Sequence, residues 1–77
     1  MRIYPNPVKE DLTIALDTYS AEMHGEFSLY GPNGALLVRR GITGTVTKVN
    51  MASYAKGVYV LHIRLDGKNT SWKVIKE

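Results

Sequence analysis

The chain has 77 residues, no cysteine, a formal charge of +3, 44% apolar residues and 22% charged ones. That balance is globular rather than disordered, and a chain this short hides only about 60% of its unfolded surface, enough for one domain and one core. It excludes disulfide stapling and a span of about 18 apolar residues through a membrane, while its ten scattered Lys and Arg read as a solvated surface rather than a nucleic-acid face.

The first stretch, Tyr4-Pro5-Asn6-Pro7, is stiff. Each proline lacks a backbone donor and fixes its φ, and Asn6 is pushed toward an extended conformation by the proline after it. Such a segment suits an entry strand or a sheet edge. Residues 11–17 then alternate, with Leu12, Ile14 and Leu16 on one side and Thr13, Ala15 and Asp17 on the other, the period of a half-buried strand. Residues 18–25 read as a polar connection, too short for a helix of more than one turn.

Residues 26–40 read as a hairpin. Phe27 and Leu29 are in phase, Gly31-Pro32-Asn33-Gly34 is a turn in which Asn33 or Gly34 takes the positive φ, and residues 35–40 return. Gly41 and Gly44 punctuate the next connection, residues 45–51 form a further β run, and residues 53–57 form a loop. Residues 58–65 are the clearest strand, with Tyr59, Leu61, Ile63 and Leu65 facing a core and Val58, Val60, His62 and Arg64 facing away. Asp66-Gly67 is a two-residue hairpin dipeptide, and residues 69–77 supply the last strand. Six or seven short strands with turn signals about every eight to twelve residues predict a small antiparallel β-sandwich.

Nothing in the pattern points to catalysis or to a cofactor. His24 and His62 are far apart in sequence and have no thiolates to join them as metal ligands. Ser20, Ser28, Ser53 and Ser71 lack any nucleophile signature, and Glu10 and Asp11 would point to opposite faces of a strand. No calcium-loop spacing occurs, and no glycine-rich loop opens a helix. The expectation is a non-enzymatic domain without a cofactor or metal.

Four segments in order resemble one family: Tyr4-Pro5-Asn6-Pro7 followed by LTIAL, LYGPNGALL at 29–37 with its Asn33-Gly34 turn, VNMASYAKGVYVLHI at 49–63 with Lys56-Gly57 and Tyr59 in register, and KVIKE at 73–77. They are similar to the type A C-terminal sorting domain of the type IX secretion system of Bacteroidetes. The resemblance covers nearly the whole chain and implies an immunoglobulin-like sandwich of about seven strands, residues 1–77 forming a single domain cut from a longer secreted protein. It also implies a targeting module. Cargo linked to the N-terminus would be exported by a signal of its own, cross the periplasm, and pass the outer-membrane translocon. A sortase-like cysteine protease would then usually remove the domain, leaving the cargo on the cell surface or outside the cell.

Within that resemblance, Pro5, Asn6 and Pro7 are expected to form the junction between cargo linker and domain, with Tyr4 packing on the sandwich to set the entry angle. The missing proline donors would keep that edge from pairing with other chains. Gly57 and Tyr59 are expected to serve the fold. Lys73, Val74, Ile75, Lys76 and Glu77 are the expected translocon-recognition segment, able to add to a partner sheet by backbone pairing; Glu77 stands where a basic residue is common in the family. The rival reading is a carbohydrate- or protein-binding module, which calls for exposed aromatics around Trp72, Tyr19 and Tyr54.

Overall fold

A computed structural model describes residues 1–20 and 22–77; Ala21, inside the predicted 18–25 connection, lies outside the described residues. Seven strands run in chain order: β1 (Arg2–Tyr4), β2 (Asp11–Ala15), β3 (Gly25–Tyr30), β4 (Leu36–Gly41), β5 (Val46–Asn50), β6 (Gly57–Leu65) and β7 (Lys68–Lys76). They form two antiparallel sheets, a three-stranded one ordered β1-β2-β5 and a four-stranded one ordered β4-β3-β6-β7. The chain is an all-β sandwich, as the alternation and turn spacing predict.

The core forms where the inward residues of both sheets meet. Leu12 and Ile14 of β2 and Val49 of β5 face Phe27 and Leu29 of β3, Tyr59, Leu61 and Ile63 of β6, and Val74 of β7, all buried. Phe27 lies opposite Ile63 and Leu29 opposite Leu61 across β3–β6, while Tyr59 meets Val74 across β6–β7. Each such side chain contributes roughly 1.5–3 kcal/mol by leaving water. The assignment of Tyr59, Leu61 and Ile63 inward and Val58 and Val60 outward holds. Two residues on outward phases, Thr13 and Ser28, are nevertheless buried, each a short side chain between longer cross-strand neighbours.

The turns follow their chemistry. Asp66 (φ 49) and Gly67 (φ 80) make the tight β6–β7 hairpin. In the β3–β4 hairpin it is Gly34 (φ 83), not Asn33, that takes the left-handed conformation. Asn33 instead turns its side-chain oxygen back to accept from the Ala35 amide at 3.2 Å, while the Gly34 amide bonds the Gly31 carbonyl. Gly41, expected in the following connection, is the last residue of β4 and pairs with Glu26. β2 stops at Ala15, short of the predicted residue 17.

One side of the sandwich is closed by a residue that strand periodicity leaves as an ordinary surface cation. Arg40 of β4 lays its guanidinium 5.2 Å from the centre of the Phe27 ring and donates at 2.9 Å to the Lys48 carbonyl of β5. It thereby joins the two sheets across an edge with a cation–π contact and a hydrogen bond.

Candidate functional site

The two ends of the chain meet. β7 is an edge strand of the four-stranded sheet, so its odd-numbered residues point their amides and carbonyls away from β6. Along residues 73–77 that edge is occupied. The Asn6 side chain donates through Nδ2 to the Lys73 carbonyl at 2.9 Å and accepts the Ile75 amide on Oδ1 at 2.9 Å. Two residues on, the Val8 amide bonds the Ile75 carbonyl at 2.8 Å and the Glu77 amide bonds the Val8 carbonyl at 2.9 Å. Val8 makes a parallel bridge to Lys76, and its side chain is fully buried in the core.

The chemistry of Asn6 explains the arrangement. A carboxamide carries a donor and an acceptor at the same spacing as a backbone peptide, so one side chain satisfies two orphan backbone groups on a sheet edge. Pro5 and Pro7 on either side have no amide to offer. Within the chain the segment nevertheless pairs, through the Asn6 side chain and through Val8. The Tyr4–Pro5 and Asn6–Pro7 peptide bonds are both cis. Tyr4 departs from expectation. It is exposed rather than packed on the sandwich, with the Arg2 guanidinium 5.7 Å from its ring centre.

The predicted recognition segment divides by face. Lys73, Ile75 and Glu77 are exposed, whereas Val74 is buried in the core. Lys76 is only 7% exposed and turns its ammonium to the Glu77 carbonyl at 2.7 Å, so its aliphatic stem is part of the packing. Backbone pairing with a partner along residues 73–77 would have to displace Asn6 and Val8.

The remaining motif residues serve the fold around this edge. Tyr59 is buried, stacks on Tyr54 at 5.8 Å between ring centres, and donates its hydroxyl to the Ala55 carbonyl at 2.6 Å, holding the loop that leads into β6. A Cβ on Gly57 would lie 2.9 Å from Cγ of Pro32, so the β3–β4 turn rests directly on the backbone at the start of β6. Lys56, Asn33 and Gly34 are exposed. Pro32 reads from the sequence as a turn residue but not as a neighbour of Gly57, and Arg40 carries no local signal; an isolated apolar residue after Pro7 is the one visible hint for Val8.

The aromatics do not form a platform. Trp72 lies opposite Leu61 on the inward phase of β7, and Trp72, Tyr19 and Tyr54 are all half-buried against the core. At the other end of the sandwich a shallow cleft of about 400 Å³ is lined by Tyr19, His24, Glu26, Ile42 and Arg64 among others. Among the described residues, no helix is long and apolar enough to cross a membrane. No curated protein matches the chain. Residues 2–77 match the secretion system C-terminal sorting domain. With that match spanning both the proline-flanked entry and the edge strand it clamps, the chain belongs to the family of C-terminal sorting domains of type IX secretion.

Proposed function

We propose that this domain is the C-terminal signal by which an N-terminally linked cargo, in transit through the periplasm, is passed through the type IX outer-membrane translocon. A sortase-like cysteine protease then separates the two in the chain leading into β1, and the cargo stays on the cell surface or is released. The observation that carries this reading is the clamp of Asn6 and Val8 on residues 73–77. It makes the point where cargo enters the domain and the strand at its other end one structural unit, so a folded signal presents both together. Recognition then falls to the exposed side chains Lys73, Ile75 and Glu77, because Val74 and Lys76 are committed to packing. The half-buried state of Trp72, Tyr19 and Tyr54 favours this reading over a glycan-binding module of the rival kind, which would present such rings to solvent.

The test is a reporter directed to the periplasm of a bacterium with type IX machinery, with and without residues 1–77 at its C-terminus. The fused reporter is expected on the surface or in the medium, trimmed on the N-terminal side of Pro5, and the bare reporter in the periplasm. Periplasmic retention of a folded fusion would overturn the reading; export of an untrimmed fusion would remove the protease from it.

A further inference from the structure

Scattered exposed aliphatic residues are ordinary on a protein surface, but adjacent ones on an unpartnered sheet face are not. Val58 (46% exposed), Val60 (41%) and Ile75 (40%) sit together on the outer face of the four-stranded sheet. Val58 is directly opposite Ile75 across β6–β7, and Val60 is opposite Lys73 in the next row. On its other side Val60 pairs with Tyr30, whose own partner is the exposed Leu36. The sandwich core needs none of these side chains, since it is filled from the opposite face of the same strands.

Charge identifies what would cover this strip. Lys73 lies within it, and Arg39 follows one row on, its Nε bonded to Ser28 Oγ at 3.1 Å. Among the described residues the single ion pair is Met1 with Asp17, so neither cation meets a carboxylate. Arg64, further along, faces Glu26 across β3–β6. Glu77, exposed beyond Ile75 on the same side of β7, offsets one of the Lys73 and Arg39 charges at most, so the strip keeps an excess of positive charge. A second copy docked face to face would set two Lys73 ammoniums and two Arg39 guanidiniums against only two Glu77 carboxylates on one drying surface. A complementary surface carries aliphatic side chains with carboxylates at their margin.

Resting on the sorting reading above, we propose that the outer face of the β4-β3-β6-β7 sheet, centred on Val58, Val60 and Ile75 and flanked by Lys73 and Arg39, is the surface by which the domain docks. Its partner is a protein of the export machinery that presents an apolar strip edged by Asp or Glu. Binding is by side chains on the sheet face and leaves the clamp of Asn6 and Val8 closed.

The reporter fusion tests this with four substitutions, each checked for a native-like melting transition. Val60→Glu and Lys73→Glu are expected to cut export by at least about tenfold, the scale of losing one central contact. Val46→Glu, on β5 of the other sheet and 56% exposed, and Lys9→Glu, an equal charge change off the face, are expected to stay within about twofold of the parent. Should Val60→Glu fail to fold, Lys73→Glu and Arg39→Glu decide the matter. Parental export of both face variants overturns the docking surface while leaving the sorting reading intact, as does equal loss in all four. Failure of the parent fusion itself overturns both. If the parent domain binds vesicles of anionic phospholipid and the face variants do not, the strip meets a lipid surface and the protein partner is ruled out.

Discussion

Gly57 shows how much a single position can hold. It sits between the loop fastened by the Tyr59 hydroxyl and the turn carrying Pro32, and the space a side chain would need is filled by the proline ring at 2.9 Å. Gly57→Ala is expected to cost about 1–3 kcal/mol through overpacking. Pro32→Ala in the same chain removes the ring and is expected to recover at least half of that loss, whereas Pro32→Ala alone costs less than Gly57→Ala. Urea unfolding of the two single variants and the double variant measures the coupling. Strictly additive losses would show that Gly57 is required for some reason other than the turn above it.

At the level of elements, β7 is the strand on which most depends. It pairs along its whole length with β6, contributes Val74 to the core, and is held on its other edge by Asn6 and Val8. Asn6→Ala removes both side-chain hydrogen bonds at an exposed site, an expected loss of about 1–2 kcal/mol. Asn6→Asp retains an acceptor for the Ile75 amide but sets a carboxylate oxygen against the Lys73 carbonyl, and is expected to be at least as destabilising. Amide exchange reads the effect locally: the Ile75 amide should exchange faster in both variants, while the Leu61 and Ile63 amides change only with global stability. An unchanged Ile75 amide would mean that Val8 alone closes the edge.

For the whole molecule, one small core must carry the stability without disulfides, and typical domains hold only about 5–15 kcal/mol in total. Removing residues 73–77 deletes Val74 from that core, strips Lys76 from its margin and leaves Asn6 and Val8 without partners. The truncated domain is expected to lose more than about 3 kcal/mol, comparable to removing a large core side chain, and to unfold over a broader transition. Circular dichroism during urea unfolding measures this, and an unshifted midpoint would contradict it. Loss of export on truncation would accordingly report a lost fold as readily as a lost signal, which is why single exposed side chains are the sharper probes of recognition.

The features legible in the chain are those encoded over a few neighbouring residues. Alternation set the inward side of residues 58–65, Asp66-Gly67 marked its hairpin, and the spacing of turns marked an antiparallel sandwich, because side-chain period and turn geometry are local properties. The same locality explains what was hidden. Asn6 finds its partners 67 and 69 residues away, Lys76 is buried although its alternating neighbours suggest a solvated tail, and Arg40 closes a seam between strands of different sheets. Which edges lie side by side is decided only when two sheets close over a shared core and every exposed backbone group must find a partner. The succession of strands and the inward sides of residues 11–17 and 58–65 were thus written in the sequence. The union of its two ends into one site belongs to the tertiary structure.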